Sequence, residues 1–364
     1  MHLPRKFLVS SALALVLLIT LMAGIKPKGY RFRNDVTLTP NHGMSIGRTG
    51  IAFSKDSLQW KDPDQSDSGF TIELSIKPAR LHSWGLSEIL GFWDGTFPEP
   101  LTINQWKNHL VIHVRDDRAQ KGYQEFRADS IFERDKSCII QIVSDRSKTV
   151  IYVNGMRTGG QLSGAAFVRA GFHGRLLLGN SVTGNSAWSG EFYGLAFYQR
   201  EMSSEETVIR FRQWDSLGRA ALAPPSRAAH FFAFSEAGGA VIRDFIASGF
   251  DLQIPTLFHI IKKQVLVGPW DDFQWNRGYL FDVIINLFGF VPLGLFLSLF
   301  LSSVVAIHSR KKNLLFTISI CFVISLGIEL AQVYIPTRDS QLSDLICNTL
   351  GGTIGGFLGT WKRK

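Results

Sequence analysis

The sequence predicts a multidomain chain, an all-β sandwich joined to an α-helical transmembrane bundle. Three observations predict it. Between residues 36 and 214, short segments alternate apolar and polar residues with the period of a strand and are separated by turn residues. Four stretches, Phe7–Ile25, Leu280–Ile307, Leu314–Ile335 and Leu342–Trp361, are apolar enough to be read as membrane spans, which need roughly 20 residues. Within the last three, polar residues recur in pairs three or four positions apart: Asp282/Asn286, Glu329/Gln332 and Asp344/Asn348. That spacing puts each pair on one helix face.

Taken in order, residues 1–29 form a short cytoplasmic stub and a transmembrane anchor, 30–219 the sandwich, 220–279 a connector and juxtamembrane segment, and 280–364 a domain of three transmembrane helices. The first span follows Arg5 and Lys6 and carries no charge. Its length also fits a secretory signal peptide. The cleavage candidate at Ala23-Gly24 is poor and no cysteine follows for lipidation, so we read a retained anchor.

Composition excludes several functions. The 364 residues carry a net charge of +9, but the excess sits beside apolar segments. Basic flanks of membrane helices account for it, and no zinc spacing or basic recognition helix accompanies it, so no nucleic-acid partner is expected. Cys138, Cys321 and Cys347 show no metal-ligand spacing and are read as structural. No cofactor is expected.

Charge also predicts orientation. The cluster His308-Ser309-Arg310-Lys311-Lys312 and the terminal Lys362-Arg363-Lys364 lie two spans apart, on one side of the membrane. The positive-inside rule puts that side in the cytoplasm and the sandwich outside it. Lys26, Lys28, Arg31 and Arg33, beyond the first span, argue the other way. The expectation is a multi-pass protein of the bacterial cytoplasmic membrane with an extracytoplasmic sandwich.

In the sandwich, Phe70–Pro78 alternates cleanly and ends at proline, and Cys138–Val143 reads as a buried strand. Thr149–Val153 runs into Asn154-Gly155, a type I′ hairpin signal. Leu176–Leu178 and Gly194–Tyr198 are further strands. The Phe70–Pro78 strand, the Ile151–Gly155 hairpin and the closing run from Phe192 to Tyr198 and Met202 to Glu206 resemble laminin-G-like, concanavalin A-like domains. The resemblance covers about 180 residues in order. It implies a jelly-roll sandwich that binds carbohydrate or protein, in some members with calcium.

The residues alone do not choose the ligand. Asp94, Asp116 and Asp117 fall in loops where carboxylates could hold calcium, yet no ligand spacing supports calcium over solvated loops. Trp84, Trp93, Trp106 and Trp188 could stack on sugar rings or fill the core. The clustered glutamates that catalytic glucanases of this fold carry on one strand are missing, which disfavours glycoside hydrolysis. After a linker at Ala220–Ser226, residues 231–255 resemble the opening of a further laminin-G-like domain, either a partial repeat or a flank packed on the first.

In the membrane part, Asn286, Glu329 and Asn348 each come out about 9 Å below the same boundary at ~1.5 Å per residue. Charged groups at membrane depth are costly and mark sites. They also serve as interhelical glue, and both readings stay open for these pairs. Gly351, Gly355 and Gly359 give the last span a ridge for close approach.

The blocks Asp282–Gly294, Glu329–Gln332, Arg338–Ser340 and Asp344–Gly352 resemble the VanZ-like membrane proteins. The resemblance implies that Phe7–Ile25 is the first helix of that fold, with the sandwich inserted after it. The family's name-giving member is associated with resistance to the glycopeptide teicoplanin. The expected site is an outer-leaflet pocket of Asp282, Asn286, Glu329, Gln332, Arg338, Asp344 and Asn348, facing a membrane lipid or lipid-linked cell-wall precursor. Glu329 and Asp344 are expected to pair with Arg338 or to be protonated in part. The alternative function is an intramembrane enzyme using Glu329 and Asp344 as acid and base.

Overall fold

The structure is a computed structural model that describes residues 4–26, 32–39, 43–59, 69–82, 85–145, 148–163, 173–216, 225–247, 249–272, 277–335 and 338–361. It divides into two compact units, Arg31–Ile261 on one hand and Met1–Tyr30 with Lys262–Lys364 on the other.

The first unit is a sandwich of two antiparallel sheets. One contains β1 (Val36–Thr39), β2 (Gly43–Ile46), β13 (Gly190–Tyr198), β4 (Phe70–Pro78), β9 (Cys138–Ser144), β10 (Lys148–Val153) and β11 (Met156–Ser163) in that order, with β14 (His230–Phe232) beside β13. The other runs β15 (Val241–Ile242), β16 (Leu252–Gln253), β3 (Ala52–Gln59), β12 (His173–Leu178), β5 (Ser87–Trp93), β6 (Leu101–Trp106), β7 (His109–Arg115) and β8 (Tyr123–Ala128). Leu74, Ile76, Ile140 and Phe197 of the first sheet meet Leu90, Phe92, Ile103 and Leu176 of the second in one core.

The expected alternation in β4 is present: Ile72, Leu74 and Ile76 face that core. Its polar residues Thr71, Glu73 and Ser75 are buried too, because helix α2 (Ser204–Ser216) covers the outer face. Ser203 starts this helix with a reciprocal cap, Glu206 N–H donating to Ser203 Oγ at 3.2 Å and Ser203 N–H to Glu206 Oε2 at 2.9 Å. Asn154 and Gly155 have φ of 52° and 73°, the left-handed pair that a type I′ turn requires.

Within the segment 220–279, read from sequence as a connector holding a partial repeat or a packed flank, the structure has the packed flank. β14 pairs with β13, and β16 pairs with β3. Phe231, Phe232, Phe234, Ile242 and Leu252 are fully buried, so burial of apolar side chains draws the flank onto the sandwich. The unit extends to Ile261.

The second unit is helical: α1 (Arg5–Ile25), the short α3 (Pro269–Asp272), α4 (Arg277–Ser303), α5 (Arg310–Gln332) and α6 (Leu342–Trp361). Leu13, Val16, Leu17 and Leu21 of α1 pack with Phe290, Leu293 and Leu297 of α4 and Cys321 and Ile328 of α5. Among the described residues, three helices are long and apolar enough to cross a membrane, at Lys6–Ile25, Tyr279–Ser303 and Arg310–Gln332. The fourth expected span is a helix of 20 residues, but it does not join the apolar three. Its glycines, Thr349, Asn348 and Asp344 dilute its hydropathy, and the glycines are buried against neighbouring helices.

Those contacts fix the helix order. A Cβ on Gly351 would come within 1.9 Å of Leu287 O, and one on Gly355 within 2.1 Å of Val291 O. The ridge therefore lies directly on the α4 backbone, and the matching order makes α4 and α6 parallel. On the other face, Gly352 meets Cys321 and Gly356 meets Thr317, the reversed order of an antiparallel pair. Pro292 lies inside a continuous α4.

Candidate functional site

The antiparallel seam of α5 and α6 continues past the glycines as a polar ladder. Four residues beyond Cys321, Ser325 Oγ accepts from Asn348 Nδ2 at 3.0 Å. Four further on, Glu329 is buried, 1% exposed. Its Oε2 accepts from Gln341 N–H at 2.9 Å, and the Ser340 hydroxyl also bonds its carboxyl. Gln341 immediately precedes α6, so the carboxylate sits at the positive end of that helix. Asp344, in the first turn of α6, and Arg338 both act on it electrostatically.

The loop between α5 and α6 is held in place by backbone pairing. Val267 N–H donates to Ser340 O at 2.8 Å, Leu342 N–H donates to Val267 O at 2.9 Å, and Leu266 N–H donates to Ser340 Oγ at 3.1 Å. Arg338 and Gln332 cap the C-terminal end of α1. Arg338 Nη2 donates to Ala23 O at 2.7 Å and to Lys26 O at 3.1 Å, and Gln332 Nε2 donates to Gly24 O at 2.8 Å. These are the carbonyls that a helix end leaves unpaired. The guanidinium expected to pair with Glu329 or Asp344 thus hydrogen-bonds backbone carbonyls and also acts on the Glu329 carboxyl through its charge.

Of the expected site residues, the structure brings together Glu329, Gln332, Arg338, Asp344 and Asn348. Asp282 does not join them as expected. It is exposed on α4, outside the face that α6 covers, and Asn286 is half-buried. The depth agreement read from the sequence is a matter of height along the helix, and height does not set the direction of a side chain.

Among the described residues, three buried polar atoms of α5 and α6 have no hydrogen-bond partner: Gln332 Oε1, Ser343 Oγ and Asn348 Oδ1. Unpaired buried polar groups are few in folded proteins; of the eight such atoms among the described residues, these three fall on α5 and α6 near Glu329 and the other five lie in the sandwich. The arrangement can accept and donate hydrogen bonds to a polar group. Sequence reasoning missed Ser325 and Ser343. Their signal is position: Ser325 lies one turn before Glu329, and Ser343 adjoins Asp344.

The loop carboxylates and tryptophans of the sandwich separate clearly. Arg115 clamps Asp94 at 2.6 and 3.0 Å, and this pairing holds the Asp94 carboxyl well below the usual carboxylate range. Asp116 accepts from Arg118 N–H at 3.0 Å in its own turn. Among the described residues, no three or more His, Cys, Asp or Glu gather as a metal site. Trp188 is a core residue, its Nε1 donating to Gln105 Oε1 at 2.7 Å. Trp93 is buried and Trp106 half-buried, and Trp84 lies outside the described residues.

Comparison with known proteins follows this division. Residues 53–207 match the concanavalin A-like lectin/glucanases superfamily. Residues 229–363 match VanZ/LLP1. The chain therefore joins a concanavalin A-like sandwich to a VanZ/LLP1 region, and with its long apolar helices it is a membrane protein. The VanZ/LLP1 match begins at the strands β14–β16 and includes α4, α5 and α6.

Similar solved structures include a heptameric SAP-like pentraxin from Limulus polyphemus, 10% identical, covering 64% of this chain and 99% of that one, with a TM-score of 0.38. Trypanosoma rangeli sialidase is 19% identical over 50% of this chain and 29% of its own, at 0.38. The CBM40 of a Ruminococcus gnavus IT-sialidase, bound to sialyllactose, is 12% identical over 48% of this chain and 99% of its own, at 0.36. No curated protein matches the chain.

Proposed function

We propose that this is a multi-pass protein of the bacterial cytoplasmic membrane whose extracytoplasmic sandwich binds an envelope glycan. In this reading, the polar ladder of its VanZ/LLP1 region receives the head of a membrane lipid or lipid-linked cell-wall precursor. The observation that carries the proposal is the union, in one chain, of a concanavalin A-like domain with the VanZ/LLP1 region. Support for the lipid-facing part comes from Gln332 Oε1, Ser343 Oγ and Asn348 Oδ1, buried without partners around Glu329. Support for the orientation comes from the basic run Arg310-Lys311-Lys312 in the first turn of α5.

The test is teicoplanin susceptibility in cells lacking the protein and in cells expressing wild type, Glu329→Gln or Asp344→Asn at matched membrane abundance. Protection by wild type and its loss in both variants is the expected result. Protection that survives both substitutions makes the ladder structural, and no protection at all removes the glycopeptide link. An intramembrane enzyme is the second reading, favoured by the nearness of the Asp344 charge to the Glu329 carboxyl. Turnover of a labelled lipid-linked saccharide by purified protein separates it from a binder.

A further inference from the structure

The second sheet of the sandwich has a polar recess on the face turned away from the core. Leu90, Phe92, Leu101, Ile103, Leu110 and Ile112 of β5, β6 and β7 point inward, so the opposite face carries Gly91, Thr102, Asn104 and His113. An irregularity between Glu88 and Leu90 breaks the alternation in β5. Glu88 thereby pairs across the strand with Asn104, and Gly91 with Thr102, leaving Glu88 and Gly91 on the same outer face.

Glu88 lies folded over the bare glycine: a Cβ on Gly91 would come within 2.2 Å of Glu88 Oε1. Glu88 is only 4% exposed. Its backbone N–H donates to Ser186 O at 2.7 Å, but among the described residues its carboxylate has no hydrogen-bond or ion-pair partner. Burial, with the Glu99 carboxylate nearby, pushes its pKa well above the usual glutamate value. Asn104, itself buried, spends Nδ2 on Thr102 Oγ1 at 2.8 Å. Its carbonyl oxygen has no partner among the described residues. At the exit of β12, Gly179 N–H donates to Ile89 O at 3.0 Å, and the next residue, Asn180, is buried with Nδ2 unpartnered. Thr102 pairs on its other side with His113, whose ring stacks on Tyr123 at 4.3 Å.

We infer that this recess is a saccharide subsite, in which hydroxyl groups of one sugar unit donate to the Glu88 carboxylate and to Asn104 Oδ1. The inference rests on the glycan-binding reading above and gives it a place and a chemistry. A carboxylate buried without a partner is costly, and a donor-rich ligand offsets that cost. Carboxylate oxygens accept only, so the complementary ligand presents a cluster of donors. The ring pair His113–Tyr123 offers a flat apolar wall for the C–H face of a pyranose. Gly91 leaves the room that the Glu88 carboxylate occupies.

The test probes full-length protein in detergent on an array of peptidoglycan fragments, teichoic-acid and capsular saccharides, with glucose, N-acetylglucosamine and glucosamine included. Wild type is expected to retain at least one uncharged saccharide. Glu88→Gln and Asn104→Ala are expected to weaken it by roughly tenfold or more. Gly91→Ala, whose methyl displaces the carboxylate, should do the same without removing any polar group. Met156→Ala, on the exposed edge of the other sheet, should change nothing. Glycan binding that survives all three recess variants overturns the subsite while the glycan reading stands. Failure of wild type to retain any glycan overturns both. Retention of glucosamine alone overturns the hydroxyl chemistry and makes the recess an ammonium site.

Discussion

Two buried carboxylates, one in each unit, are held by different kinds of donor. Glu73 in β4 is fully buried. It receives Arg210 Nη2 at 2.6 Å, Trp214 Nε1 at 3.0 Å and Gln141 Nε2 at 3.0 Å. Two elements, α2 and β9, converge on it, and it latches α2 to the sheet. Glu329 in α5 is nearly as buried, but its carboxyl is bonded from the loop before α6, by Gln341 N–H and the Ser340 hydroxyl. Burial alone therefore does not separate structure from function. Glu73 is held by side chains of two other elements, whereas Glu329 is held by a backbone N–H and a hydroxyl of one loop, which leaves Glu329 the better placed of the two for the proposed ligand.

The largest expected effect tests the clamp. Glu73→Ala leaves the Arg210 charge buried and unpaired, which should cost about 3–5 kcal/mol. Thermal unfolding of the full chain reads this as a large drop in Tm, and a drop no larger than that of an exposed substitution would refute the clamp. Next is the glycine ridge. Gly355→Ile places side-chain atoms where Val291 O already lies and should cost about 1–3 kcal/mol or more by overpacking. It should appear as lost folded protein in detergent on size exclusion, whereas the same change at Gly289, where an added Cβ meets nothing, should be tolerated.

A third contrast uses pH. Glu88 is a buried carboxyl without the donors that Glu73 enjoys, and its pKa is raised by burial. The folded state therefore holds this proton longer than the unfolded chain, whose glutamates titrate near about 4.3. The resulting stability is full below that value and is lost as pH rises through the raised folded value. Melting curves of wild type against Glu88→Gln should diverge as pH rises above about 4.5, the variant melting higher at neutral pH. Parallel curves would show that Glu88 is solvated. The smallest effect is the helix cap: Ser203→Ala should cost about 1 kcal/mol, measured by the same melts.

Much of this was legible in the chain, and the rest was hidden for identifiable reasons. Phe70–Pro78 announced its strand through period two, and Asn154-Gly155 its turn through the demand for positive φ. β14, β15 and β16 span only three, two and two residues, too short for any periodicity to show, so the sequence left a partial repeat and a packed flank as alternatives there. The polar pairs of α5 and α6 were visible because carboxylates and amides stand out in apolar runs. Asp282 was misplaced because an i, i+4 spacing defines a face but not what the face meets. Glu88 gave no signal, since only cross-strand pairing sets it beside Asn104 and over Gly91.

The most direct test of the clamp-versus-site distinction is lipid mass spectrometry of the chain extracted in native nanodiscs, comparing wild type, Glu329→Gln and Asn348→Ala. The account predicts a lipid-linked saccharide or a distinct headgroup class enriched over the surrounding membrane, lost in both variants while their melting temperatures stay close to wild type. A lipid profile identical to bulk membrane in all three, or variants that unfold without altering the bound lipid, would contradict it and make Glu329 a second clamp.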